Sequence, residues 1–264
     1  MSVTTLLGLL VGFLLFIGAI LMSTDNVLIF VNLPSLILVL GGTLANAFIS
    51  YQGPYVLKAL RNCWEILSHA KTNETILVRE AERVVEWARV VSTQGQVALE
   101  NLLKSKDNDD LLRYGIQLVS DGISPEEVRD FLTNRVETTY GRAMRQVDIL
   151  RNMASTAPAF GMIGTLVGLI IMLGSLSDPE TLGSGLAVAM LTTLYGVLFA
   201  RLIFQPAADK TQQREDISRF RNLLMMEGFV MLAEGRNTGF IRDRIASFLP
   251  PEVATQWATQ REDA

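Results

Sequence analysis

The sequence predicts an all-α membrane protein with four transmembrane helices in two hairpins, the third and fourth spans extended into the cytoplasm, and a helical cytoplasmic domain. Three observations lead there. All 23 Lys and Arg residues lie at Lys58 to Arg151 or from Arg201 onward. Four apolar stretches surround those blocks, at about 3–22, 33–50, 154–176 and 184–204, with no ionisable side chain at their centres. Each approaches the ~20 residues that a helix needs to cross ~30 Å of hydrocarbon. The links 23–32 and 177–183 carry only Asp25, Asp178 and Glu180 as charges. The positive-inside rule therefore puts both large polar parts and both termini in the cytoplasm and both short links outside.

Residues 1–50 form the first hairpin. Only Met1 and Ser2 precede the first apolar run, without the basic region of a cleaved signal peptide, so it reads as a span. Leu33-Pro34-Ser35 opens the second helix, with Asn32 as a cap and Pro34 in the first turn, where its missing N–H is not needed. Residues 51–153 form a helical loop in which Ile76, Val78, Ala81, Val84, Val85 and Ala88 recur at helical spacing. Ser124-Pro125-Glu126-Glu127 is a capping box, with Ser124 as cap and Glu127 reaching back. Its apolar face runs through Val128, Phe131, Leu132, Val136, Tyr140, Met144, Val147 and Leu150 without a breaker before Ala157. One rod of ~75 Å is expected to run on into the third span, at ~1.5 Å per residue.

Residues 154–206 form the second hairpin and 207–264 the C-terminal cytoplasmic helices. Ile217, Phe220, Leu224, Phe229, Met231 and Leu232 extend the fourth span's apolar face to a stop at Gly235. Pro206 is expected to kink or interrupt that rod. A short helix follows at about 241–249, ended by Pro250-Pro251, and the remainder reads as loosely ordered.

A net charge of -4 with scattered basic residues excludes a nucleic-acid footprint. Cys63 is the single cysteine, so no intrachain disulfide is expected, and His69 is the single histidine. The sequence has neither a Walker loop nor a metal-ligand cluster, which argues against an enzyme or a resident cofactor. What remains is a pair of small-residue faces. Ala157, Gly161, Gly164, Thr165 and Gly168 share one face of the third span; Ala189, Thr192, Thr193, Gly196 and Ala200 share one of the fourth. They read as packing faces, or as hydroxyls that could ligate a hard cation. A cation in lipid needs a negative counterpart, and a mid-span carboxylate costs ~2.5–3.5 kcal/mol on insertion scales. The spans contain none, so an ion path here would need an acid from a second polypeptide.

Several runs carry a resemblance: residues 157–169 (Ala157 to Leu169), Asp178-Pro179, residues 187–196 (Ala187 to Gly196) and Phe204-Gln205-Pro206-Ala207-Ala208-Asp209-Lys210. With Thr5 to Leu9, Gly41-Gly42 and Gly115 to Gly122, they make the chain resemble the A subunit of flagellar stators, the MotA/PomA family, over essentially its whole length. The resemblance implies a ring, five A subunits in the family, around two copies of a B subunit (MotB/PomB-like) whose single span supplies the ion-accepting Asp. It implies a bacterial inner-membrane location, contact with lipid and with the rotor protein FliG, and passage of Na+ or H+ that turns the ring. Pro158 matches the proline that gates the third span, and Pro206 the second proline below the fourth. Thr165 and Thr193 match hydroxyls that sodium-driven members place beside the B-subunit Asp, with Thr192 adjacent. One charge falling through 100 mV releases about 2.3 kcal/mol, enough to bias a step.

For rotor contact the match is looser. Aligning Val97 to Glu100 keeps the acid at Glu100 but puts Ser92-Thr93 where relatives have a basic residue or pair. Arg89, one helical turn earlier, could substitute; Arg83, Arg89 and Glu100 are the rotor-contact candidates, and Arg83, Glu86 and Arg89 read equally as an ordinary solvated face. An outer-membrane energy transducer of the ExbB/TolQ type, which has three spans, and a passive scaffold are the alternative functions. The hydroxyls lean toward sodium without deciding between sodium and protons. The missing acid predicts that the purified chain alone, reconstituted in liposomes, shows no robust selective conductance for either cation, measured as ion flux.

Overall fold

The computed structural model describes residues 3–68, 75–104, 109–174 and 179–249, and every regular element among them is helical. Nine α-helices are described: α1 (Val3–Ser23), α2 (Leu33–Ser50), α3 (Gly53–Ser68), α4 (Thr75–Gln94), α5 (Asp110–Ser120), α6 (Pro125–Gly174), α7 (Pro179–Phe199), α8 (Gln205–Ala233) and α9 (Thr238–Ala246). Short 3-10 stretches lie at Val27–Phe30 and Gln96–Lys104, and a π-turn at Ala200–Phe204. His69, Asp178 and Pro250-Pro251 fall outside the described residues. By length and composition, Val27–Ser50, Pro125–Gly174 and Leu182–Ala233 each contain a membrane-length apolar segment, and Leu10–Ser23 is a shorter apolar stretch.

The helix ends follow local chemistry. Asn32 accepts the Ser35 N–H at 3.0 Å and the Ser35 hydroxyl at 2.8 Å, closing the start of α2. Ser124 accepts the Glu127 N–H at 3.3 Å, and the Glu127 carboxylate accepts the Ser124 hydroxyl at 2.7 Å. The acid thus reaches back to the cap side chain. Helix α8 ends at Ala233, where Gly235 takes φ +66 and the Arg236 N–H returns to the Met231 carbonyl at 3.1 Å. Helix α9 begins three residues before the apolar run suggests, because Asn237 caps the Phe240 N–H. Pro206 does not break the chain's helical path. The π-turn before it shifts the hydrogen bonding by one residue, so that the Gln205 N–H donates to Ala200, and Pro206 enters in the first turn of α8.

Two compact units result. The first comprises residues 1–71 and 143–213 and the second residues 72–142 and 214–264, so α6 and α8 contribute to both. In the second unit a conventional apolar core joins α4, α5, the start of α6, the end of α8 and α9, with Phe229, Leu99, Leu132, Leu224 and Ile241 fully buried. Trp87 stacks on Phe229 with centroids 5.4 Å apart. Gly115 makes room for that ring: a Cβ there would lie 2.3 Å from Phe229. Gly122, seven residues on, takes φ +70 and closes α5.

This core also contains acids. Glu80 is 2% exposed and pairs with Arg83 at 3.1 Å and Arg221 at 3.2 Å. Glu227 lies between Arg129 at 2.8 Å and Arg244 at 3.3 Å. Burying a carboxylate is costly unless it is paired and hydrogen-bonded, and both are. On its more exposed side, Tyr140 donates to Asp216 at 2.6 Å, and that acceptor holds the phenol above its ordinary pKa.

The first unit contains α1, α2, α3, the rest of α6, α7 and the start of α8. Val147, Ile149, Leu150, Met153, Ala157, Ala200 and Ala208 are buried there. Cys63 packs at its margin, and burial raises its thiol pKa. Gly115→Ala is expected to lower the stability of the second unit by ~1–3 kcal/mol, since Phe229 is fully enclosed and cannot move aside. Thermal unfolding of the purified protein checks this.

Candidate functional site

Helices α6 and α7 meet along a seam of glycines in the first unit. A Cβ on Gly161 would come within 2.9 Å of the Thr192 carbonyl oxygen, and one on Gly196 within 2.7 Å of the Ala157 carbonyl oxygen. Gly168 and Gly185 face each other's carbonyl oxygens, at 2.6 and 3.0 Å by the same measure. Gly164 receives the Thr192 side chain, its notional Cβ lying 2.4 Å from the Thr192 Cβ. Small residues at this spacing let backbones touch, which is how helices associate where hydrophobic exclusion is absent. Pro158, inside α6, lies on the same seam, its Cα 3.1 Å from where a Cβ on Gly196 would sit. It removes one helical N–H there.

The three threonines do not share one environment. Thr165 donates to the Met162 carbonyl at 2.6 Å. Thr192 is fully buried in the seam and donates within its own helix, to Val188 and Ala189 at 3.0 Å each. Thr193, one residue on, turns to a different side of α7. Its hydroxyl is buried and has no hydrogen-bond partner, alone in this among the described buried side-chain oxygens and nitrogens. A threonine hydroxyl in a helix ordinarily returns to the carbonyl four residues back. An orphaned one forfeits that bond and leaves a donor and two lone pairs open.

Thr193 lines an apolar groove of about 740 Å³, whose other walls are Leu186, Met190, Leu194 and Val197 of α7 and Ile29 and Phe30 of the 3-10 turn. The described residues contain no cluster of His, Cys, Asp or Glu able to hold a metal. The Thr193 hydroxyl is thus enclosed beside the groove, and the groove lining carries no charged side chain.

The structure brings further residues to this unit that sequence spacing did not single out. Gly42 of α2 lies against Phe160, where a Cβ would come within 2.3 Å of the ring. Asn46 donates to Asn152 at 3.1 Å and Thr156 at 3.3 Å, tying α2 to α6. The Tyr195 hydroxyl accepts the Asn32 N–H at 3.0 Å and donates to the Phe30 carbonyl. Tyr195 is the only phenol in its apolar stretch, a signal present in the sequence but without an indicated partner.

The charged residues expected at a rotor contact lie in the second unit. Arg83 is held against buried Glu80. Arg89 and Glu100 are exposed, and the Arg89 carbonyl accepts the Ser92 and Thr93 hydroxyls at 2.9 Å. Burial of Glu80 follows from its position three residues after Leu77 and four before Val84, on the apolar face of α4.

Comparison with known proteins places these features in context. The pattern described as the MotA/TolQ/ExbB proton channel family matches residues 104–220. The chain is 31% identical over 249 residues to the chemotaxis protein PomA of Vibrio alginolyticus, covering 94% of this chain and 96% of that one. It is 31% identical to motility protein A of Aquifex aeolicus, over 96% of this chain and 98% of the other. In structure it resembles the C. jejuni MotAB chain with a TM-score of 0.85 at 22% identity, covering 95% and 97% of the two chains. The likeness to the flagellar MotAB stator complex of Bacillus subtilis has a TM-score of 0.83 at 23% identity, over 97% and 99%.

Because Gly196 touches backbone, Gly196→Ala cannot be relieved by a rotamer change. It is expected to separate α6 from α7, at a cost of ~1–3 kcal/mol. Gly174→Ala, where no atom lies within 4 Å of a Cβ, is expected to be neutral. Thermal stability of the two variants in detergent distinguishes them.

Proposed function

This chain belongs to the MotA/TolQ/ExbB proton channel family, with motility protein A and PomA among its full-length relatives, and we propose that it works as the A-type stator subunit of a bacterial flagellar motor. With a B-type subunit it couples Na+ or H+ influx to torque on the rotor. Near-complete coverage of motility proteins favours this over an outer-membrane transducer.

The observation that carries the ion-path reading is the orphaned hydroxyl of Thr193, enclosed beside a groove without an acid. A cation that has shed water there gains one neutral ligand and still lacks a charge partner. The B subunit's transmembrane Asp supplies that charge. Thr165 offers a second hydroxyl. Thr192 fills the Gly164 notch and holds the seam on which the path is built. Pro158, lacking its N–H within that seam, marks where α6 can change curvature as the cation passes, and the π-turn before Pro206 is the matching point between α7 and α8. No covalent chemistry and no resident cofactor enter; the cation is cargo.

In this reading the chain crosses the inner membrane four times as two hairpins, about 3–22 with 33–50 and 154–176 with 184–204, with both termini cytoplasmic. It assembles as a ring, five copies as in the family, around the B subunit. The second unit then meets the rotor protein FliG, with Arg89 and Glu100 as accessible charges and Arg83 tied to Glu80 behind them.

Swimming speed and ion flux in cells carrying Thr193→Ala are expected to fall about tenfold, the equivalent of ~1.4 kcal/mol. Thr193→Ser should retain function, and Pro158→Ala should impair it. Unchanged motility in both Thr193→Ala and Pro158→Ala would remove this assignment.

A further inference from the structure

Tyr195, near the C-terminal end of α7, holds the link between α1 and α2 against that helix. The Tyr195 ring is 9% exposed, packs with Val39 and Leu191, and lies 6.4 Å from Phe199. Its hydroxyl accepts the Asn32 N–H and donates to the Phe30 carbonyl, two backbone groups outside any α-helix. Away from water such groups must find protein partners, and irregular backbone persists only where they do. Tyr195 satisfies one donor and one acceptor of the strap at once. Phe30 is thereby anchored in the small core with Val39 and Leu191, while Leu28, Ile29 and Val31 on the same strap remain largely exposed.

The strap is also a wall of the groove that contains Thr193. Ile29 and Phe30 line one side and α7 the other. Tyr195 and Thr193 are two residues apart on α7, so the phenol that fixes the wall and the unpartnered hydroxyl beside the groove belong to the same helical turn. A wall fixed at this point limits how much water competes with the protein for a dehydrating cation. Letting it drift would leave the ligands in place and weaken their hold.

We propose that Tyr195 is a positioning residue for cation selectivity and affinity: through its two hydrogen bonds it seats the 27–32 strap as the water-excluding wall beside Thr193. The proposal rests on the ion-path reading of Thr193. It assigns Tyr195 no contact with the cation.

The test uses Tyr195→Phe in the full stator complex, which removes the hydroxyl and keeps the ring. Swimming speed is measured against sodium at fixed pH and against pH at fixed sodium. The concentration of the driving cation at half-maximal speed is expected to rise roughly fivefold, the effect of losing about one hydrogen bond, with the limiting speed nearly kept. Hydrogen exchange of the purified complex should speed up in the 27–32 segment and stay unchanged in α2 and α7. Val31→Gly, which loosens the strap without altering Tyr195, should shift the half-maximal concentration in the same direction, and it decides the matter if Tyr195→Phe lowers the yield of complex. A parental half-maximal concentration in these variants, or a fall in limiting speed alone, overturns the proposal. Thr193→Ala separates the two ideas: if it is impaired while Tyr195→Phe is parental, only the strap's role fails; if Thr193→Ala is itself parental, the ion path is misplaced.

Discussion

Backbone-to-backbone contact between α6 and α7 is the constraint on which the first unit depends. In hydrocarbon, helices gain little by hiding apolar side chains from lipid, so close van der Waals approach must hold them. Gly161, Gly168, Gly185 and Gly196 permit it by presenting no side chain where the other helix's carbonyl groups arrive. Such a contact is stiff against added volume and has few alternative arrangements, because backbone cannot change rotamer. It sets the rotation of α7 about its axis. With Thr192 locked into the Gly164 notch, Thr193 is turned to a different side.

That rotation explains why adjacent, chemically identical residues have different fates. Thr192 has its hydroxyl satisfied in its own helix and its methyl in a fitted notch. Thr193 has neither use, and its hydroxyl is buried without a partner. A hydroxyl that donates to a carbonyl keeps its lone pairs, whereas the Thr193 hydroxyl has both its proton and its lone pairs unused. The unpaired oxygen beside an otherwise apolar groove is thus an energetic deficit within the fold.

The second unit is built on the opposite principle. Its core is mainly aliphatic, with Trp87 stacked on Phe229, and its buried acids Glu80 and Glu227 are each paired with arginines. Removing one partner of such a set leaves an uncompensated buried charge. Charge here is a structural element, which separates Arg83 from the exposed Arg89 and Glu100.

The helices and the apolar character of several of them were legible in the sequence, since periodicity, caps and composition act over a few residues. The Ser124 box, the Asn32 cap and the Gly235 stop lie where short-range chemistry puts them, and Gly161, Gly164, Gly168 and Gly196 show the spacing of a packing face. Spacing could not tell which hydroxyl remains open, that Gly185 answers Gly168, that Glu80 is enclosed, or that Tyr195 clamps a strap 163 residues away. Those outcomes depend on helix rotation and on partners distant in the chain. Only the packed tertiary structure determines either, because each is set by which backbone and side-chain surfaces can occupy the same space.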